Sequence, residues 1–96
     1  MKFTTAPDVA VLRMTAELEA AGAPITDRYL VDRTVVARGI LLNTGNRRRY
    51  AEIVDALVLR GHLAVTPSDE LGTDGIITIT DVGREVLADQ KRGGDS

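Results

Sequence analysis

Tyr50, Ile53, Val54, Leu57 and Val58 recur at i, i+3, i+4, i+7 and i+8, just ahead of Gly61, and no other feature constrains the fold as tightly. That spacing lays a single apolar stripe along a helix. Glycine suits the position just beyond, where a left-handed residue closes the last turn. The helix is expected over 46–60, capped by Asn46 or Thr44 after the turn Asn43-Thr44-Gly45-Asn46. At about 100° per residue, the face opposite Tyr50 holds Arg48, Glu52, Asp55 and Leu59. Arg49 falls on the flank, and Arg47 projects from the first turn.

A helix with one apolar side needs other elements to cover it. Residues 8–21 form a first helix, preceded by Pro7, with Asp8 as cap or first-turn residue and Gly22 and Pro24 as its stop. It carries two stripes, Val9-Leu12-Ala16 and Val11-Met14-Leu18, so it has two sides to bury. The second stripe either meets another copy, making Val11, Met14 and Leu18 a homodimer face, or is covered by a terminal segment folding back. Thr26 caps a second helix, with Asp27 in its first turn, Ile25 stapled to Leu30, and Tyr29 assigned to the core. Gly39 either ends that helix or is passed over as it continues, or restarts, through Ile40-Leu41-Leu42.

Beyond Gly61, residues 63–66 read as a short strand and 75–80 as a β-branched one, separated by a polar, turn-rich loop; together they make a hairpin. Thr80 caps a last helix over 81–90, with Val82, Val86 and Leu87 at helical spacing. Residues 91–96 are a polar tail expected to fray.

Composition narrows the chemistry. With 96 residues, 44% of them hydrophobic, there is room for one domain and one core. Cysteine is absent, which excludes disulfides, thiolate metal sites and thiol nucleophiles. One histidine, His62, makes a His-based metal site improbable and supplies no catalytic dyad. Glu17 and Glu19 are two apart on a helix and point in different directions, and the glycines form no phosphate loop. Converging catalytic groups are therefore not expected: the chain reads as no enzyme, with no cofactor, no metal and no small-molecule effector indicated. No signal pattern or long apolar run is visible, so a cytoplasmic location without membrane contact is expected.

The net charge is −2, yet it is unevenly spread. Residues 26–60 carry seven arginines against four carboxylates, net +3, whereas 61–90 carry one arginine against six carboxylates, net −5. A local basic surface can exist inside such an acidic total.

The order helix, helix, helix, hairpin, helix resembles the winged helix-turn-helix plan of bacterial and archaeal transcriptional regulators. The segment from Tyr50 to Leu63, with Leu57 ahead of Gly61-His62-Leu63, looks like the third helix of those domains. The segment Ile77-Thr78-Ile79-Thr80-Asp81-Val82-Gly83-Arg84-Glu85-Val86-Leu87 is similar to the I-T-L-T-x-x-G-x-x-x-L pattern that closes their wing. The resemblance implies a mostly helical α+β fold, with residues 1–90 as one winged helix-turn-helix domain: three helices, a β-hairpin wing and a C-terminal helix. Two features depart from it. The stretch before the third helix is longer than usual, and the wing carries Asp69, Glu70 and Asp74 where Lys or Arg is common.

In that plan the N-terminal part of the third helix enters the major groove of double-stranded DNA. Three cations in a first helical turn oppose the macrodipole, which points to a functional reason for Arg47, Arg48 and Arg49. Arg48 is expected at base edges and Arg47 and Arg49 at phosphates. Asn46 is a further donor, and Glu52 can accept from cytosine N4. A plainer arrangement pairs Arg48 with Glu52 at i, i+4 in solvent. Arg28, Arg33 and Arg38 spread around the preceding helix, and Arg28 and Arg38 are favoured for backbone contacts. The expected function is sequence-specific DNA binding by a dimeric, repressor-like transcriptional regulator. The rival is a winged-helix module that binds protein through Leu59 and the acidic hairpin.

Overall fold

The computed structural model describes residues 6–66 and 75–93. Three helices, α1 (Ala6–Ala20), α2 (Asp27–Ala37) and α3 (Thr44–Leu59), precede a hairpin of β1 (Leu63–Thr66) and β2 (Ile76–Ile79), and α4 (Asp81–Gly93) closes the chain. The result is a mostly helical α+β domain, consistent with a winged-helix layout.

Local chemistry sets the helix ends. Helix α1 begins at Ala6, so Pro7 sits inside its first turn, where a missing N–H costs no helical bond. Thr26 caps α2 as expected, its hydroxyl accepting from the Tyr29 N–H at 3.2 Å. Gly39, at φ +70°, ends that helix, and the Ile40 N–H returns to the Val35 carbonyl at 3.1 Å. The choice left open by Ile40-Leu41-Leu42 is thereby settled: α2 is one helix, and residues 40–43 are a non-helical link to α3. Gly61 closes α3 in the same way, at φ +82°, with the His62 N–H on the Leu57 carbonyl at 2.9 Å. Helix α4 runs three residues past its expected end at Gln90 and takes up the start of the polar tail.

Helix α1 is the centre of the domain and packs against α2, α3, β2 and α4. Val11 and Leu12 on α1 are fully buried, together with Leu30 and Val35 of α2, Leu57 of α3 and Ile77 of β2. Burying one such side chain contributes about 1.5–3 kcal/mol. The stripe assigned to a homodimer face lies largely inside this core: Val11 is 0% and Leu18 8% exposed, and Met14 packs at its margin. Helix α4 also packs against α1. Tyr29 is also placed differently. It is 41% exposed, because Leu30, Val31, Thr34 and Val35 occupy the inward arc of α2.

The hairpin is antiparallel, pairing Leu63 with Ile79 and Thr66 with Ile76. Ile25, just before α2, accepts from the Ile77 N–H at 2.8 Å, which fastens β2 to the α1–α2 link. Glu19 fastens it to α1. One carboxylate oxygen accepts from the Ile79 N–H at 2.6 Å, and the other lies 3.5 Å from Arg84 of α4. Thr80 joins α4 to the end of α3: its N–H donates to the His62 carbonyl at 3.1 Å, and its hydroxyl to the Gly61 carbonyl at 2.6 Å. The same hydroxyl accepts from the Gly83 N–H at 3.1 Å, capping α4. A Cβ on Gly83 would overlap the His62 carbonyl oxygen, so this glycine allows α4 to lie against the α3–β1 corner.

Candidate nucleic-acid interface

The arginine triplet sits on α3, which starts earlier than its sequence suggested. Asn43 is the N-cap, its side chain accepting from the Asn46 N–H at 2.8 Å, and Thr44 is the first helical residue. Arg47, Arg48 and Arg49 therefore occupy the fourth to sixth helical positions, not the first turn. The macrodipole penalty falls off within that first turn, so it exerts little force against them. The spacing Asn43-x-x-Asn46 matches a cap and its third helical residue, a signal present in the sequence but masked by two other cap candidates.

Asn46 is accordingly a structural residue first. Its main-chain N–H is taken by Asn43, and its side-chain Nδ2 donates to the Leu41 carbonyl at 2.7 Å. These bonds tie the α2–α3 link to the start of α3.

Steps of about 100° fan the triplet out in three directions. Arg47 turns toward α2, where its Nε lies 3.2 Å from an Asp32 carboxylate oxygen. Arg48 is exposed and forms no ion pair among the described residues, and in particular none with Glu52. Arg49, also exposed, borders an open groove of about 450 Å³ between α3 and the start of α1, shared with Glu52, Asp8 and Arg60. Asp8 is buried there, and Arg60 reaches it at 3.3 Å. The exposed outer side of α3 thus carries Arg48, Arg49 and Glu52, followed by Asp55 and Leu59. Leu59 is 88% exposed.

The remaining basic candidates are not gathered with these. Arg28 is exposed in the first turn of α2, while Arg38 caps its other end, about 15 Å away along the axis. Arg38 donates through Nη1 to the Ala6 carbonyl at 3.1 Å, which places it beside the first residue of α1. Asp69, Glu70 and Asp74, the acidic residues of the expected wing, lie outside the described residues. Among the described residues no three His, Asp or Glu side chains cluster as metal ligands, and no helix is long and apolar enough to cross a membrane.

Sequence reasoning missed Asp32, which nothing but tertiary packing brings to Arg47, and Asp8, whose partner Arg60 is 52 residues away. The chain matches no family model, no curated protein and no solved structure.

Proposed function

We propose that this chain is a winged-helix protein that binds double-stranded DNA, with α3 as its major-groove helix, and that it acts as a sequence-specific transcriptional regulator of the repressor type. One observation carries the proposal: Arg48 and Arg49 stand exposed and without ion pairs among the described residues, on the outer side of a helix whose inner side is buried. Such a rigid helix can present Arg48 to guanine O6 and N7 while Arg49 meets a flanking phosphate. Glu52 then accepts from a cytosine amine one turn further on. Arg28 and Arg38, at opposite ends of α2, are the proposed contacts to the phosphate backbone. If two copies bind a palindromic site, they pair through a surface other than Val11 and Leu18, which serve the core.

A second reading, a module that binds protein, is favoured by the exposed Leu59 and by Asp55 on the same side of α3. Titrating random-sequence duplex DNA at two salt concentrations separates the two. Several arginine–phosphate contacts predict a steep loss of affinity with salt, about 0.9 in the log–log slope per contact. No binding even at low salt overturns the DNA proposal.

A further inference from the structure

We infer that Asp32 is a positioning residue for DNA binding, holding Arg47 so that its terminal guanidinium nitrogens point at a phosphate of the duplex; this rests on the DNA-binding proposal above. The contact to Asp32 uses Nε alone, at 3.2 Å. Nη1 and Nη2 form no hydrogen bond among the described residues, although the Arg47 side chain is 40% exposed. These two nitrogens are the fork that grips a phosphate with two parallel bonds. An arginine bound side-on through Nε keeps that fork available while losing the freedom to swing away. Asp32 is suited to the task, because its own side chain is only 27% exposed and sits in the middle of α2.

The position of Arg47 adds to this. It lies one turn after the Asn43 cap, on a stretch of α3 already tied to the α2–α3 link through Asn46 and Leu41. Cap and link fix the backbone that carries Arg47, and Asp32 holds its side chain. An arginine ordered before binding loses less side-chain entropy on meeting its phosphate than a free one does. Among the described residues Arg48 has no such support, so the chain presents one braced arginine beside one adaptable arginine. A solvated ion pair at this exposure would contribute little to folding, and its value lies in where it leaves the fork.

The test compares Asp32→Asn with Asp32→Ala. Both substitutions remove the carboxylate charge, so any long-range repulsion of DNA changes equally. Asparagine alone keeps an oxygen that can accept from Nε. With random-sequence duplex DNA at low salt as the probe, D32N is expected to bind about five- to tenfold more tightly than D32A. In an Arg47→Ala background that ratio should fall to about one, and the salt slope should drop by about 0.9. A contact that served folding alone would change thermal stability and give a ratio of about one with or without Arg47. Equal affinities of D32A and D32N, alongside a wild-type protein that binds, overturn this inference by itself. A wild-type protein that does not bind overturns the DNA-binding proposal and this inference with it.

Discussion

Replacing Gly83 with alanine tests a crowded point of the fold. In an ordinary helix the change stabilises by about 0.5–1 kcal/mol, since alanine has less backbone freedom to lose. Here the new Cβ would overlap the His62 carbonyl oxygen and come within 2.8 Å of Ile79 Cγ1. One of these atoms is backbone and cannot rotate aside, so α4 must shift. Overpacking of this kind costs about 1–3 kcal/mol. The shift also stretches the Thr80 bonds to the Gly61 and His62 carbonyls, which contribute about 1 kcal/mol each. The net expectation is a loss of about 2–3 kcal/mol, or a fall of about 10–20 °C in unfolding midpoint for a domain of this size. Gly45, also helical, is the control: a Cβ there has only Asn43 Oδ1 nearby, at 3.6 Å. Gly45→Ala should leave stability unchanged or raise it by up to about 1 kcal/mol. Thermal unfolding followed by circular dichroism reads both variants. A Gly83→Ala protein as stable as wild type would refute the close approach of α4 to the α3–β1 corner.

Glu19→Ala leaves the Ile79 N–H without its acceptor and Arg84 without its partner, and should destabilise by about 1–3 kcal/mol in urea unfolding; Glu19→Gln, which keeps an acceptor, should recover part of the loss. Leu57→Ala should cost about 2–5 kcal/mol and Leu59→Ala less than about 0.5 kcal/mol, since the first is fully buried and the second exposed; similar losses at the two sites would contradict the orientation of α3. Arg48→Ala should weaken duplex binding by about 1–3 kcal/mol and relax preference at one base pair, measured on DNA selected from random sequence. An unchanged base preference in that variant would remove Arg48 from the groove.

The helices were legible because their signals are local. The stripe from Tyr50 to Val58, the Thr26 cap and Gly61 each act within one or two turns, so neighbours in sequence suffice to reveal them. The hairpin was legible for a similar reason, as a short apolar run and a β-branched one separated by a polar loop. The start of α3 was less so, because three polar residues competed for one cap and only backbone geometry selects Asn43. That small displacement puts the arginine triplet beyond the first turn, where the macrodipole has little hold on it.

What the sequence determined by itself is the order of elements and the side of each that must be buried, because both follow from periodicity and turn chemistry along the chain. The tertiary structure alone decided what covers those sides and where the charges go. Helix α4 and β2 pack on α1, and Val11 and Leu18 lie in the core. Asp32 and Arg47 are 15 residues apart, and Glu19 and Ile79 are 60 apart. No local pattern encodes such pairs, because their distance depends on how whole helices cross, and that is set by the packing of the core between them.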